Sequence, residues 1–168
     1  MKARLRGIRS PVATASADYS FRQSFGVNAA KAFRWCIDFT PYDWADSGGH
    51  GSRKVVWVSS RTVLLDDVFP APKGRRIRKV KMVQIYPETR SWVSTHVVGP
   101  NRHSQFRYRI VPEGPNRSAL VFEGRELRWK GPRLRAAANR QLAQRLCKAD
   151  SSLWKRLAVE LERDYHVR

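Results

Sequence analysis

Two histidines, His96 and His103, flank a turn at Gly99 to Arg102, where a hairpin would bring them side by side. A pair of imidazoles can move a proton near neutral pH, or hold zinc if a further ligand joins them. No third ligand is spaced for zinc here. The sharp reading of His96 is therefore a polar handle, beside the ordinary one of a core or surface histidine. Asp66-Asp67 and Glu123 with Glu126 are the acidic groupings in strand-like segments. Paired carboxylates divide acid and base roles when their environments differ. Arg61, Arg125 and Arg128 lie close in sequence, however, and point to surface ion pairing instead. Gly48-Gly49-His50-Gly51 follows no strand, so it is a poor phosphate cradle. There is no nucleophile elbow, dinucleotide fingerprint or phosphate loop. The sequence thus assigns no catalytic residue, no metal and no cofactor, and it favours binding over catalysis.

The elements that would position these residues follow from hydrophobic period. Tyr19, Phe21, Gln23, Phe25 and Val27 alternate with mostly polar residues, as a half-buried strand does. Asn28 caps a helix over Ala29 to Ile37, and Thr40-Pro41 begins a short second helix to Ala45. After a Gly-rich loop, Asp46 to Ser52, six strands are expected at Lys54 to Ser60, Thr62 to Phe69, Arg78 to Tyr86, Ser91 to Val98, His103 to Val111 and Arg117 to Leu127. Short turns join them, which predicts an antiparallel meander. Gly131-Pro132 opens a last helix. There Leu134, Ala138, Leu142, Leu146, Ala149, Leu153, Leu157 and Leu161 form one apolar stripe, and Asp150-Ser151 is a place for a kink. The order is β-α-α followed by six strands and a helix. A sheet with one apolar face needs a cover, and the last helix is the one element long enough to provide it.

Composition narrows the class of partner. The 168 residues carry 33 Lys and Arg against 14 Asp and Glu, a net charge of +19. Such a field attracts nucleic acid, anionic lipid or acidic proteins. Arg75, Arg76, Arg78, Lys79, Lys81, Arg128 and Arg133 are the polyanion-binding candidates, with Lys79 and Lys81 on one strand face, expected to be the outer one. No apolar run approaches the roughly 18 residues a membrane helix needs. Lys2, Arg4, Arg6 and Arg9 precede no apolar stretch, so residues 1–17 read as a flexible basic arm and 18–168 as one domain. Cys36 and Cys147 suit free thiols in a reducing cytoplasm.

Three segments resemble the START-like, polyketide-cyclase and lipid-transport superfamily. These are Phe25-Gly-Val-Asn-Ala-Ala-Lys-Ala-Phe-Arg-Trp-Cys-Ile-Asp38, Tyr108-Arg-Ile-Val-Pro-Glu-Gly114 with Leu120-Val-Phe122, and Leu153-Trp154 with Leu157-Ala158 to Leu161. The resemblance runs from about Tyr19 to Tyr165. It implies an α+β helix-grip fold, a curved antiparallel sheet of six to seven strands wrapped around the long C-terminal helix. It also implies a cavity for an apolar or aromatic small molecule such as a lipid, quinone or polyketide. Trp57, Gln84, Tyr86, Trp92, His96, Phe106, Tyr108, Phe122, Leu146, Leu153 and Leu157 are the candidate lining, and the loops Asp46 to Ser52 and Pro70 to Arg76 the candidate gates. The alternatives are a cyclase or aromatase on the same cavity, or a basic nucleic-acid-associated protein with a filled core. Transient contact with anionic membrane or nucleic acid through the basic surface completes the expectation.

Overall fold

The computed structural model describes residues 12–43 and 51–166. Its elements are β1 (Ala15–Phe25), α1 (Ala29–Ile37), β2 (Ser52–Ser59), β3 (Thr62–Pro70), β4 (Arg76–Tyr86), β5 (Ser91–Val98), β6 (Gln105–Gly114), β7 (Arg117–Arg128) and α2 (Ala136–His166). All neighbouring strands are antiparallel, in one seven-stranded sheet of order β1-β7-β6-β5-β4-β3-β2. β1 closes the meander by pairing with β7 from Ala15–Arg128 to Phe25–Ser118. Its pairing therefore reaches into the segment read as an arm, and Ala15 and Ala17 are buried.

Asn28 caps α1 as expected, its Oδ1 accepting from Lys31 N at 2.9 Å. Thr40 N and Oγ1 then donate to Asp43 Oδ1, at 3.0 and 2.5 Å. The rest of the expected second helix, including Ala45, lies outside the described residues, as do residues 1–11 of the basic arm and most of the Gly-rich loop. The last helix starts later than Gly131-Pro132, because Leu134 N is tied across to Thr14 O at 2.8 Å. α2 runs unbroken through Asp150-Ser151. Ser151 and Ser152 donate their hydroxyls to Lys148 O within the helix.

Core residues from the sheet's inner face meet α1 and the C-terminal half of α2: Phe25, Val63, Leu65, Val83, Ile85, Trp92, Ile110 and Leu120 against Phe33, Ala158 and Leu161. Polar latches hold the end of α2 there. Glu162 Oε1 accepts from Gly26 N at 2.6 Å, and Asp164 Oδ2 from Trp35 Nε1 at 2.9 Å. The other half of α2 lies along the start of β1, with Leu142 beside Ala15 and Ala17.

Candidate functional site: the inner face between sheet and C-terminal helix

Period-two alternation sends Trp92 of β5, Phe106 and Tyr108 of β6, and Phe122 of β7 to the same face as Tyr19 and Phe21 of β1. Trp92 and Tyr108 stack at 4.8 Å with an interplanar angle of 3°. Trp154 of α2 meets both rings, at 6.5 and 5.8 Å. On the other side Tyr108 stands edge-on to Phe122 at 5.1 Å, and Phe21 stacks on Phe122 at 4.5 Å. Gly124 makes room for this group: a Cβ there would lie 2.8 Å from Phe122 Cζ and 3.0 Å from Phe106 Cδ1.

Polar groups are set among the rings. His96 is 7% exposed, with its ring edge-on to Phe106 at 5.0 Å. Its Nδ1 lies 2.9 Å from Oδ1 of the buried Asn101, in the Gly99–Ser104 turn. That contact requires the proton on Nδ1, which leaves the Nε2 lone pair unused. Burial, helped by Lys81 and Lys79, lowers the His96 pKa to about 4, so the ring is neutral at pH 7. Tyr19 donates to Asp150 Oδ2 at 2.6 Å, and burial raises the Asp150 carboxyl above the ordinary carboxylate range. Burial also raises the Tyr108 phenol, with Asp150 adding to it. Neither Tyr108 Oη nor His96 Nε2 has a hydrogen-bond partner among the described residues. The one fully sealed side-chain polar atom without a partner there is Asn139 Oδ1, so neither inner-face atom is fully sealed.

Further along the same face, Asp67 is 0% exposed and accepts from Arg53 Nε at 2.7 Å and from Lys81 Nζ at 2.5 Å. Arg53 also bonds Asp43. Burial acts to raise the Asp67 pKa, but the two cations outweigh it and hold the carboxyl below its usual value. This corrects two readings. Asp67 is not a surface partner, although Asp66 is, bonded to Arg78 at 2.7 Å. Lys79 and Lys81 lie on the inner face, in register with Asp67 and Leu65. Their strand carries apolar residues on both parities, Lys79-Lys81-Val83-Ile85 against Val80-Met82, so charge alone misassigned the face.

The remaining candidates are dispersed. Leu146 packs with Tyr19, Phe106 and Phe122, and Leu153 and Leu157 are half-buried on α2. Trp57, on the edge strand, is 49% exposed with its ring 6.5 Å from Phe39. Gln84 and Tyr86 are exposed on the parity opposite to Val83 and Ile85, which places them on the outer face. His96 and His103 share a backbone bond, His103 N to His96 O at 2.6 Å, but their side chains part. His103 has φ 66° and turns onto Trp129, at 5.4 Å. Arg75, Arg76 and Arg78 line a hollow at one end of the sheet, Arg128 pairs with Glu126, and Arg133 is exposed. Sequence reasoning missed Tyr19, Asn101, Asp150 and Trp154. Asp150 did leave a signal: it falls on the apolar stripe, four residues after Leu146 and three before Leu153.

No family model matches the chain, and no curated protein is similar to it. Solved structures are. The Zhui aromatase/cyclase of Streptomyces sp. R1128 superposes with a TM-score of 0.70 at 15% identity, covering 91% of this chain and 96% of that one. A START superfamily protein of Mycobacterium smegmatis gives 0.62 at 16% identity, covering 86% and 98%. The di-domain ARO/CYC StfQ of the steffimycin biosynthetic pathway gives 0.71 at 12% identity, covering 92% of this chain and 54% of that one. The chain has the START-like helix-grip fold.

Proposed function

We propose that the chain binds an apolar, aromatic small molecule carrying oxygen substituents between the sheet and α2. The observation that carries this reading is the pair of unpartnered polar atoms on an aromatic wall. Tyr108 Oη is a donor and His96 Nε2 an acceptor, and neither is fully sealed among the stacked rings. A pocket of this composition draws its ligand from water through apolar area and orients it with a few hydrogen bonds. Trp57 and Phe39, half-exposed and in contact at the edge strand, suit the rim of the opening. Membership of the helix-grip fold, which the aromatase/cyclase neighbours share, supports a ligand of quinone or polyketide character. The domain works in the cytoplasm in this reading, with its folded body beginning by Ala15, where β1 starts, rather than at residue 18.

The test is titration with 1,4-naphthoquinone, read by quenching of tryptophan fluorescence. Saturable quenching is expected, weakened about tenfold in Tyr108→Phe by loss of one hydrogen bond. Quenching that rises linearly without saturation contradicts the reading.

A second reading is favoured by the tautomer of His96. A neutral imidazole with a free Nε2 can take the proton between two ketone groups while the Tyr108 hydroxyl donates to a carbonyl oxygen, which is the first demand of an aldol cyclisation. Exchange of the methylene protons of a 1,3-diketone into deuterium oxide, followed by NMR, separates the two. Protein-dependent exchange lost in His96→Gln supports catalysis. Binding without exchange leaves the carrier.

A further inference from the structure

We propose that the basic hollow at one end of the sheet docks the phosphate backbone of a nucleic acid. The hollow measures about 790 Å³, and its cations are Lys73, Arg75, Arg76, Arg78, Arg102 and Lys130. No Asp or Glu is among its lining residues. Its walls come from the β3–β4 loop, the turn after β5 and the chain leaving β7. The fold therefore gathers two runs that are free of acids in sequence: none lies between Asp67 and Glu88, nor between Glu126 and Asp150. A third such run, ahead of Asp18, joins the fold at Thr14, whose Oγ1 donates to Arg128 O at 3.0 Å beside Lys130. Within the hollow, Arg78 is engaged by Asp66, while Lys73 and Arg75 on the loop and Arg76 at the start of β4 are exposed.

Shape and aromatic placement select the partner. Guanidinium forks match phosphate oxygens, and a concave wall of them follows a chain of phosphates. Docking on a bilayer instead needs apolar side chains that project beyond the cations. Trp129, the large aromatic of this hollow, does the opposite. Its indole N–H donates inward to Arg102 O at 2.6 Å, and the Arg102 guanidinium lies 4.9 Å from its ring centre. Backbone contacts of this kind bind without reading bases.

The experiment is fluorescence anisotropy of a short, labelled, mixed-sequence single-stranded RNA with nuclease-treated full-length protein, from about 50 to about 200 mM salt. The expected slope of log affinity against log salt is about −4 if each of the lining cations meets a phosphate. The triple substitution Lys73→Gln, Arg75→Gln, Arg76→Gln is expected to reduce the slope by about 2 and to weaken binding at least tenfold. A control triple, Arg107→Gln, Arg109→Gln, Arg117→Gln, removes the same charge from exposed positions elsewhere on the sheet and is expected to bind nearly as wild type. Should the first triple fail to fold, Arg75→Gln alone carries the same test, with a slope smaller by about 0.7. Equal loss in both triples would overturn the proposal, because the net field alone would then explain binding. So would absence of RNA binding in a protein that floats with phosphatidylcholine–phosphatidylglycerol vesicles.

Discussion

His96 shows how a residue's surroundings decide its chemistry. Its pKa of about 4 stands below the ordinary 6.5 of a free imidazole, so the folded state binds fewer protons between those values than the unfolded chain. Stability from this group is fully present above pH 6.5 and is lost as pH falls toward 4, by up to about 3 kcal/mol. Thermal melting from pH 7 to pH 4.5 should therefore show a steeper fall for the wild type than for His96→Gln. Parallel curves would mean that the ring is not held neutral. Asp67 poses the complementary case of a buried charge with two cations on it. Asp67→Asn leaves Arg53 and Lys81 buried without their shared carboxylate, so urea unfolding should show a loss of about 3–5 kcal/mol. A loss below about 1 kcal/mol would mean that water reaches the group.

Packing between elements turns on close approach as much as on apolar area. Gly124 lets the Phe106 and Phe122 rings lie over β7, and the atoms a Cβ would strike belong to rings held by neighbours. Gly124→Ala should cost about 1–3 kcal/mol in chemical unfolding, and a neutral result would show that the aromatic group shifts freely. Strand positions and the long helix were legible in the sequence because period-two runs and a three-to-four-residue stripe leave few alternatives. Tyr108, Trp92, Phe106 and Phe122 could be placed on the inner face on that basis. Gln84 and Tyr86 could not, since β4 mixes charged and apolar residues on both parities and only its pairing register settles which faces in. The hydrogen bond between Asn101 and His96 was hidden for another reason. It depends on a turn folding its side chain back under the sheet, and turn residues carry no hydrophobic period.

At the scale of the molecule, two features share one fold without sharing residues. The inner face couples an aromatic wall to a few polar atoms, while the hollow at the sheet's end concentrates cations from segments far apart in sequence. No helix among the described residues is long and apolar enough to cross a membrane. A net charge of +19 sets up a field that attracts polyanions within a Debye length of the chain. Salt should suppress that attraction and leave apolar binding on the inner face nearly unchanged. The central claim, a ligand between sheet and helix, is tested most directly by native mass spectrometry of gently purified, nuclease-treated protein, followed by extraction of whatever co-purifies. The account predicts a stoichiometric apolar compound bearing hydroxyl or carbonyl groups, retained in high salt and released on unfolding. Bare protein, still bare after incubation with naphthoquinone, would contradict it.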